Sequence, residues 1–192
     1  FDIIIDNLTK FYQEQNIPGI ERDFPLGSMQ GNYTWSELNE RFDELRNLYP
    51  EIISDRLIIG QSLEGHEIWA FKLSDNPDQD ENEPQILYTG LTHAREPLSM
   101  MNLFYFIQNI CENYEAGDDT EATYLVNERE LWFIPVVNPD GYVYNELIAP
   151  NGGGMHRKNR RDTGCGSGTE QGVDINRNYG FNWGENDMGS SP

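Results

Sequence analysis

Three clusters in this 192-residue sequence carry side chains able to do chemistry. The first is Thr92-His93-Ala94-Arg95-Glu96-Pro97. His93 and Glu96 stand three apart, so one turn of backbone can aim an imidazole nitrogen and a carboxylate oxygen at one point. Such a pair suits zinc, which takes nitrogen and oxygen donors in a tetrahedral shell. Surface loops carry the same pair without a metal, and the spacing alone leaves both readings open. The second cluster is Gly152-Gly153-Gly154-Met155-His156-Arg157-Lys158-Asn159-Arg160-Arg161. Its glycines free the backbone, and its guanidiniums can each grip a carboxylate or steady an oxyanion. A solvated basic loop is the alternative. The third, Gly172-Val173-Asp174-Ile175-Asn176-Arg177-Asn178, reads as a short strand with Asp174, Asn176 and Asn178 on one side and Arg177 between. Three polar groups next to valine and isoleucine are hard to explain as packing.

The elements that must position these clusters follow from periodicity and turn chemistry. Residues 6–14 read as a short helix stopped by Pro18-Gly19, and residues 16–32 as a linker without periodicity. Thr34-Trp35-Ser36-Glu37 matches a capping box, and Leu38, Phe42, Leu45 and Tyr49 then share one helical face up to Pro50. Strands over 57–61 and 67–73 flank the turn Ser62-Leu63-Glu64-Gly65, with glycine at a positive φ. Residues 74–84 hold five acids and two prolines without the twelve-residue calcium-loop pattern, so they read as an exposed loop. A buried strand over 85–89 precedes a helix over 97–114, with Leu98, Met101, Phe104 and Tyr105 facing inward. A second helical stretch lies near 121–127, and an apolar strand over 130–137 ends in the turn Asn138-Pro139-Asp140-Gly141. Strand, helix, helix, strand indicates a right-handed parallel crossover and an α/β class. Ligands in open α/β sheets collect beyond the carboxyl ends of strands, where all three clusters fall.

Composition sets the outer bounds. There are 33 acidic and 13 basic residues, a formal charge of -20. Residues 151–192 hold five of each sign, so residues 1–150 carry the whole imbalance. A phosphate backbone needs a basic face, so this is no nucleic-acid binder. No apolar run approaches the ~18 residues of a membrane-spanning helix, so no membrane partner is expected. A basic cluster within so acidic a chain suits either a small-anion site or a set of paired charges. The first residue is Phe1 rather than methionine, so a native start that was removed or lies outside the sequence is expected. Residues 1–5 do not read as a secretory signal. Cys111 and Cys165 lack metal-type spacing and leave their pairing open.

Together these motifs resemble the zinc metallocarboxypeptidase family, which includes pancreatic carboxypeptidases A and B. The likeness runs from about Gly31 to Pro192. It is carried by the helix ending in Tyr49-Pro50, by Ile59-Gly60-Gln61-Ser62-Leu63-Glu64-Gly65, by His93-Ala94-Arg95-Glu96, by Asn138-Pro139-Asp140-Gly141-Tyr142, by Arg157-Lys158-Asn159-Arg160 and by Asp174-Ile175-Asn176-Arg177-Asn178. The resemblance implies a mixed, largely parallel sheet with helices on both faces, incomplete at the C-terminus. It also implies that residues 28–192 are the N-terminal portion of a catalytic domain, and residues 1–27 a pro-segment tail and linker as in secreted bacterial members.

The resemblance also implies roles. His93 and Glu96 become ligands of one zinc ion, and Asp174 accepts a hydrogen bond from the other nitrogen of His93. Arg160 polarises the scissile carbonyl and holds the oxyanion. Asn176 and Arg177 bind the terminal carboxylate of a peptide or protein substrate, and Arg95 lines the groove. The family pattern continues with a third zinc ligand (a histidine), a capping tyrosine and a catalytic glutamate. Only fifteen residues follow Arg177, and none is histidine. The chain alone is therefore expected to be inactive or nearly so, with the rest of the catalytic domain either missing, cleaved off or present as a separate segment that supplies the missing groups. A family partner for Cys165 would lie past the end, and an extracellular or periplasmic location is implied. Two alternatives stand beside this: a zinc deacylase of the aspartoacylase type, and a non-catalytic carboxylate-binding pseudopeptidase.

Overall fold

A computed structural model describes residues 24–117, 119–164, 166–181 and 183–184. The readings on residues 6–14 and on Cys165 lie outside these residues. Helix α1, Trp35–Leu48, starts as its sequence demands: the Glu37 amide donates to Thr34 Oγ1 at 3.1 Å, and the Thr34 amide to Glu37 Oε2 at 2.8 Å. Leu38, Phe42 and Leu45 are buried on its inner face. Strands β1 (Leu57–Gln61) and β2 (Glu67–Leu73) form the expected hairpin, with Gly65 at φ 91°. Next come β3 (Gln85–Thr89), α2 (Leu98–Ala116), α3 (Thr120–Glu128), β4 (Glu130–Ile134) and α4 (Pro139–Ile148). Short 3-10 turns cover Gly168–Glu170 and Ile175–Arg177.

The sheet is mixed, in the order β1-β2-β4-β3. Strands β3 and β4 pair in parallel across the α2–α3 crossover, while β1–β2 and β2–β4 are antiparallel. Among the described strands the parallel part is therefore this one pairing. Register brings Phe71 opposite Phe133, and Phe133 opposite Tyr88, so three rings lie in one row. Phe42 of α1 packs 4.8 Å from Phe71, and Phe106 of α2 packs 5.4 Å from Tyr88. Both helices thus cover the same sheet face, and the core lies between. On the opposite face Lys72 pairs with Trp132, and Leu87 is 60% exposed.

Three local readings change. Beyond Ile134 the chain leaves the sheet, and Asn138-Pro139-Asp140-Gly141 is the first turn of α4, not a reverse turn. Asn138 caps it by accepting the Gly141 amide, and Pro139 sits where a helix has no use for an N–H. Leu98 and Tyr105 face solvent. The inner face of α2 is instead Met100, Met101, Phe104, Ile107, Ile110 and Cys111. Residues 24–33 are no free linker, since bridges Gly27–Gly31 and Met29–Asn32 fold them back and bury Met29 and Tyr33. The 74–84 loop is anchored from below: buried Glu130 accepts from Lys72 Nζ at 2.7 Å, the Glu81 amide at 3.0 Å and Gln85 Nε2 at 2.6 Å. Among the described residues no helix is long and apolar enough to cross a membrane.

Candidate active site

The chain turns out of β3 at Gly90 and Leu91. Leu91 has a left-handed φ of 48°, held by donation of its amide to Ser99 Oγ and by the Asn138 amide on its carbonyl. That bend delivers His93, only 7% exposed, to the end of the sheet. Its Nε2 lies 3.2 Å from Asp174 Oδ1, and its Nδ1 lies 3.1 Å from Glu96 Oε2. Arg157 closes the ring, with Nε on Asp174 Oδ2 at 2.9 Å and Nη1 on Glu96 Oε1 at 3.1 Å.

The chemistry of this donor set decides what it can hold. A carboxylate only accepts, so when the His93 ring carries a single proton Asp174 draws it to Nε2. Nδ1 then turns a lone pair toward Glu96 Oε2, itself an acceptor. Two acceptors in contact need a proton or a cation between them. Zinc ligands at ~2.0–2.1 Å on two tetrahedral corners stand about 3.3 Å apart, close to the 3.1 Å found here. The pair therefore fits two ligands of a zinc ion. Burial alone would raise the Asp174 pKa. The Arg157 hydrogen bond and charge, with His93 behind them, instead hold it below the ordinary carboxylate value.

Helix α4 draws the remaining strands of chain together. Asn145 Nδ2 donates to the carbonyls of Ala94 and His156, and its Oδ1 takes the His156 amide. Asn138 Nδ2 holds the Lys158 carbonyl at 2.9 Å. A side chain at Gly141 would stand 2.6 Å from that same carbonyl, so only glycine admits the approach. The Asn159 amide bonds the Val173 carbonyl at 3.1 Å, bringing the third cluster beside the second. Arg160 lies with its Cζ 3.7 Å over the Tyr144 ring, and its Nε faces Glu64 Oε1 at 3.4 Å. Its Nη1 is buried without a hydrogen-bond partner among the described residues.

The chain has relatives among known proteins. The profile of the zinc carboxypeptidase family matches residues 38–192. The chain belongs to this zinc carboxypeptidase family. A zinc carboxypeptidase of Saccharothrix mutabilis subsp. capreolus is 37% identical over 164 residues, covering 85% of this chain and 35% of the relative. An inactive metallocarboxypeptidase, ECM14, of Uncinocarpus reesii is 33% identical over 141 residues, covering 70% and 22%. Among solved structures, carboxypeptidase A of Helicoverpa armigera superposes with a TM-score of 0.66 at 30% identity, covering 85% of this chain and 37% of that one. The chain thus spans about a third or less of the curated relatives named here.

Within this member of the family, His93, Glu96 and Asp174 come together. Arg160 lies instead against Glu64 of the β1–β2 turn and Tyr144 of α4. Arg95 is exposed and lines a separate cavity of about 230 Å³ with Gln30, Asn145 and Met155. The segment 172–178 is no strand. Asp174 caps a 3-10 turn by accepting the Asn176 amide at 3.0 Å, which leaves Asn176 and Arg177 exposed. His156 is wholly buried, between carbonyls and edge-on to Tyr144, and takes no part in the His93 cluster. A second cluster, Glu64, His66 and Asp140, has donor atoms within 4.8 Å of one another. Hydrogen bonds already account for Asp140, which takes Ser62 Oγ, His66 Nδ1 and the Glu64 amide. Arg157, Asp140 and Tyr144 were not singled out from the sequence. Arg157 was in view within the basic run, but nothing in that run separates the residue that pairs with Asp174 from its three neighbours.

Proposed function

We propose that this chain is the part of a metallocarboxypeptidase that supplies two ligands of one zinc ion and the groups that grip a peptide C-terminus, for hydrolysis of the last peptide bond. The observation that carries the reading is that His93 Nδ1 and Glu96 Oε2 face each other at 3.1 Å, with Asp174 Oδ1 behind the ring 3.2 Å from Nε2. Zinc bound by His93 and Glu96 would supply a Lewis acid for a water and for the scissile carbonyl. The residues of the chain do the rest by position. Asp174 keeps the proton on Nε2 and so keeps Nδ1 a ligand. Arg160 offers its unpaired Nη1 to the carbonyl oxygen as negative charge grows there. Exposed Asn176 and Arg177 receive the terminal carboxylate, and Arg95 flanks the path of the preceding residues. The third ligand and the glutamate base belong to a further segment of the same protein. Residues 1–27 as a pro-segment tail, and a location outside the cytoplasm, are part of the same proposal and rest on the family resemblance.

The test is release of the terminal residue from a blocked dipeptide by the full-length protein, run beside an N-acyl amino acid. The expected result is chelator-sensitive peptide cleavage that falls by about 10³-fold or more in Glu96→Gln. Cleavage of the N-acyl amino acid alone would favour the deacylase. Absence of any turnover would leave the carboxylate-binding reading, which the inactive relative makes concrete. Calorimetry would then have to find binding of a free C-terminal acid and none of the amide.

A further inference from the structure

The neighbours of Arg160 point to a device for aiming it. We propose that Glu64 and Tyr144 are positioning residues that hold the Arg160 guanidinium with its Nη edge free for substrate. This rests on the reading of Arg160 as the carbonyl-polarising group. The Arg160 Cζ stands 3.7 Å over the centroid of the Tyr144 ring, a contact that restrains the plane of the guanidinium. Glu64 Oε1 faces Nε, which fixes its rotation within that plane. A guanidinium has five N–H donors in a rigid fork, so a partner at Nε lies on the edge shared by Nε and Nη2 and leaves Nη1 facing away from it. One of them, Nη1, is buried and unpaired among the described residues. Leaving such a donor unmade costs stability, and Nη1 is thereby open to an acceptor that binds beside it.

The aim depends on how well Glu64 and Tyr144 are themselves held. They come from different elements, the β1–β2 turn and α4, and Asp140 joins the two. Asp140 is 2% exposed and sits one helical turn before Tyr144. Its Oδ2 accepts the Glu64 amide at 3.1 Å, and its Oδ1 accepts from His66 Nδ1 at 2.8 Å and from Ser62 Oγ. The hairpin turn is thereby pinned to the helix that carries the ring. A carboxylate 45% exposed and 3.4 Å away contributes little binding energy, so Glu64 acts through geometry rather than through stability.

The experiment is a set of kinetic cycles in the full-length protein: Glu64→Gln, Tyr144→Leu and Arg160→Ala, with each of the first two combined with the third. Glu64→Gln and Tyr144→Leu are each expected to lower kcat by roughly 5–10-fold with little change in KM, and to cost nothing further once Arg160 is alanine. A second readout does not use turnover. The Arg160 Nε–H resonance is expected to exchange slowly with solvent, and faster in both variants. If Arg160→Ala is as active as wild type, or if no form turns over, the reading of Arg160 fails and takes the proposal with it. If Arg160→Ala is impaired while the other two variants keep wild-type kcat and exchange, the positioning role alone is overturned. Losses that persist undiminished in the Arg160→Ala background also overturn it. Should Tyr144→Leu fail to fold, the surface substitution Glu64→Gln carries the test.

Discussion

Asp174 serves three donors at once: His93 Nε2, Arg157 Nε and the Asn176 amide. Its charge matters at two of them. On the His93 side it keeps the proton on Nε2, and on the Arg157 side it balances a guanidinium that also holds Glu96. Asp174→Asn keeps the volume but removes both effects, so zinc affinity of the full-length protein is expected to fall about 10–100-fold. Competition with a coloured chelator measures this, and unchanged affinity would reduce Asp174 to a cap of its own 3-10 turn. The residues of this cluster were partly legible. His93 and Glu96 stand out by spacing, and Asp174 by sitting polar between valine and isoleucine. Arg157 does not stand out, because contact between residues 61 and 17 positions apart is a property of the fold and not of any local pattern.

At the scale of elements, the bounds of α1 and the strands β1 to β3 were readable to the residue or nearly so, since each is bounded by strong local chemistry: a capping box, a glycine turn, a proline-rich loop. The burial expected of β3 was not, for each of its residues is half-buried or exposed. The start of α4 was not, because Asn-Pro-Asp-Gly satisfies a reverse turn and a helix N-terminus equally well; burial of Tyr142 and Asn145 decides it. The inner face of α2 was misphased by a residue at Tyr105, whose ring instead meets Phe24 edge-on at 5.6 Å, from a segment with no periodicity to read. Nor does the sequence announce that β2 and β4 share a buried charge pair. Lys72 and Glu130 are 2% and 0% exposed and 2.7 Å apart. Removing one partner strands the other, so Lys72→Met is expected to cost about 3–5 kcal/mol, and Lys72→Met with Glu130→Leu to recover most of it. Burial would raise the Glu130 pKa, yet Lys72 and its other donors hold it below the ordinary 4.5. A lowered carboxylate pKa stabilises fully above the ordinary value and ceases to as pH falls through the folded one. Wild type should therefore lose its advantage over the double variant in that acid window. Chemical denaturation at pH 7 and through pH 5 to 3 reads both effects, and a double variant no more stable than Lys72→Met would contradict the pairing.

Over the whole molecule, the charge of -20 sits in residues 1–150, while the segment bearing Arg157, Arg160, Asp174 and Arg177 is neutral overall. A compact chain of this length has a radius of gyration of roughly 16 Å. At about 10 mM salt the Debye length is near 30 Å, so every excess carboxylate feels every other; at about 150 mM it is near 8 Å, and only neighbours interact. Salt also weakens ion pairs, but the exposed ones, such as Arg46–Asp55 and Arg56–Asp43, are worth about 0–1 kcal/mol each. The buried Lys72–Glu130 pair is screened much less. Twenty unbalanced negative charges outweigh these few weak pairs, so relief of self-repulsion should win. The melting temperature is expected to rise by roughly 2–6 °C between 10 and 150 mM sodium chloride, the shift that about 1–2 kcal/mol produces in a chain of this size. Repeating the melts with a large organic cation separates screening from binding of sodium itself: screening gives the same rise with either cation. A fall in melting temperature with salt would mean that the surface pairs, above all those of Arg157 and Arg160 at the site, stabilise the fold more than the acidic excess opposes it.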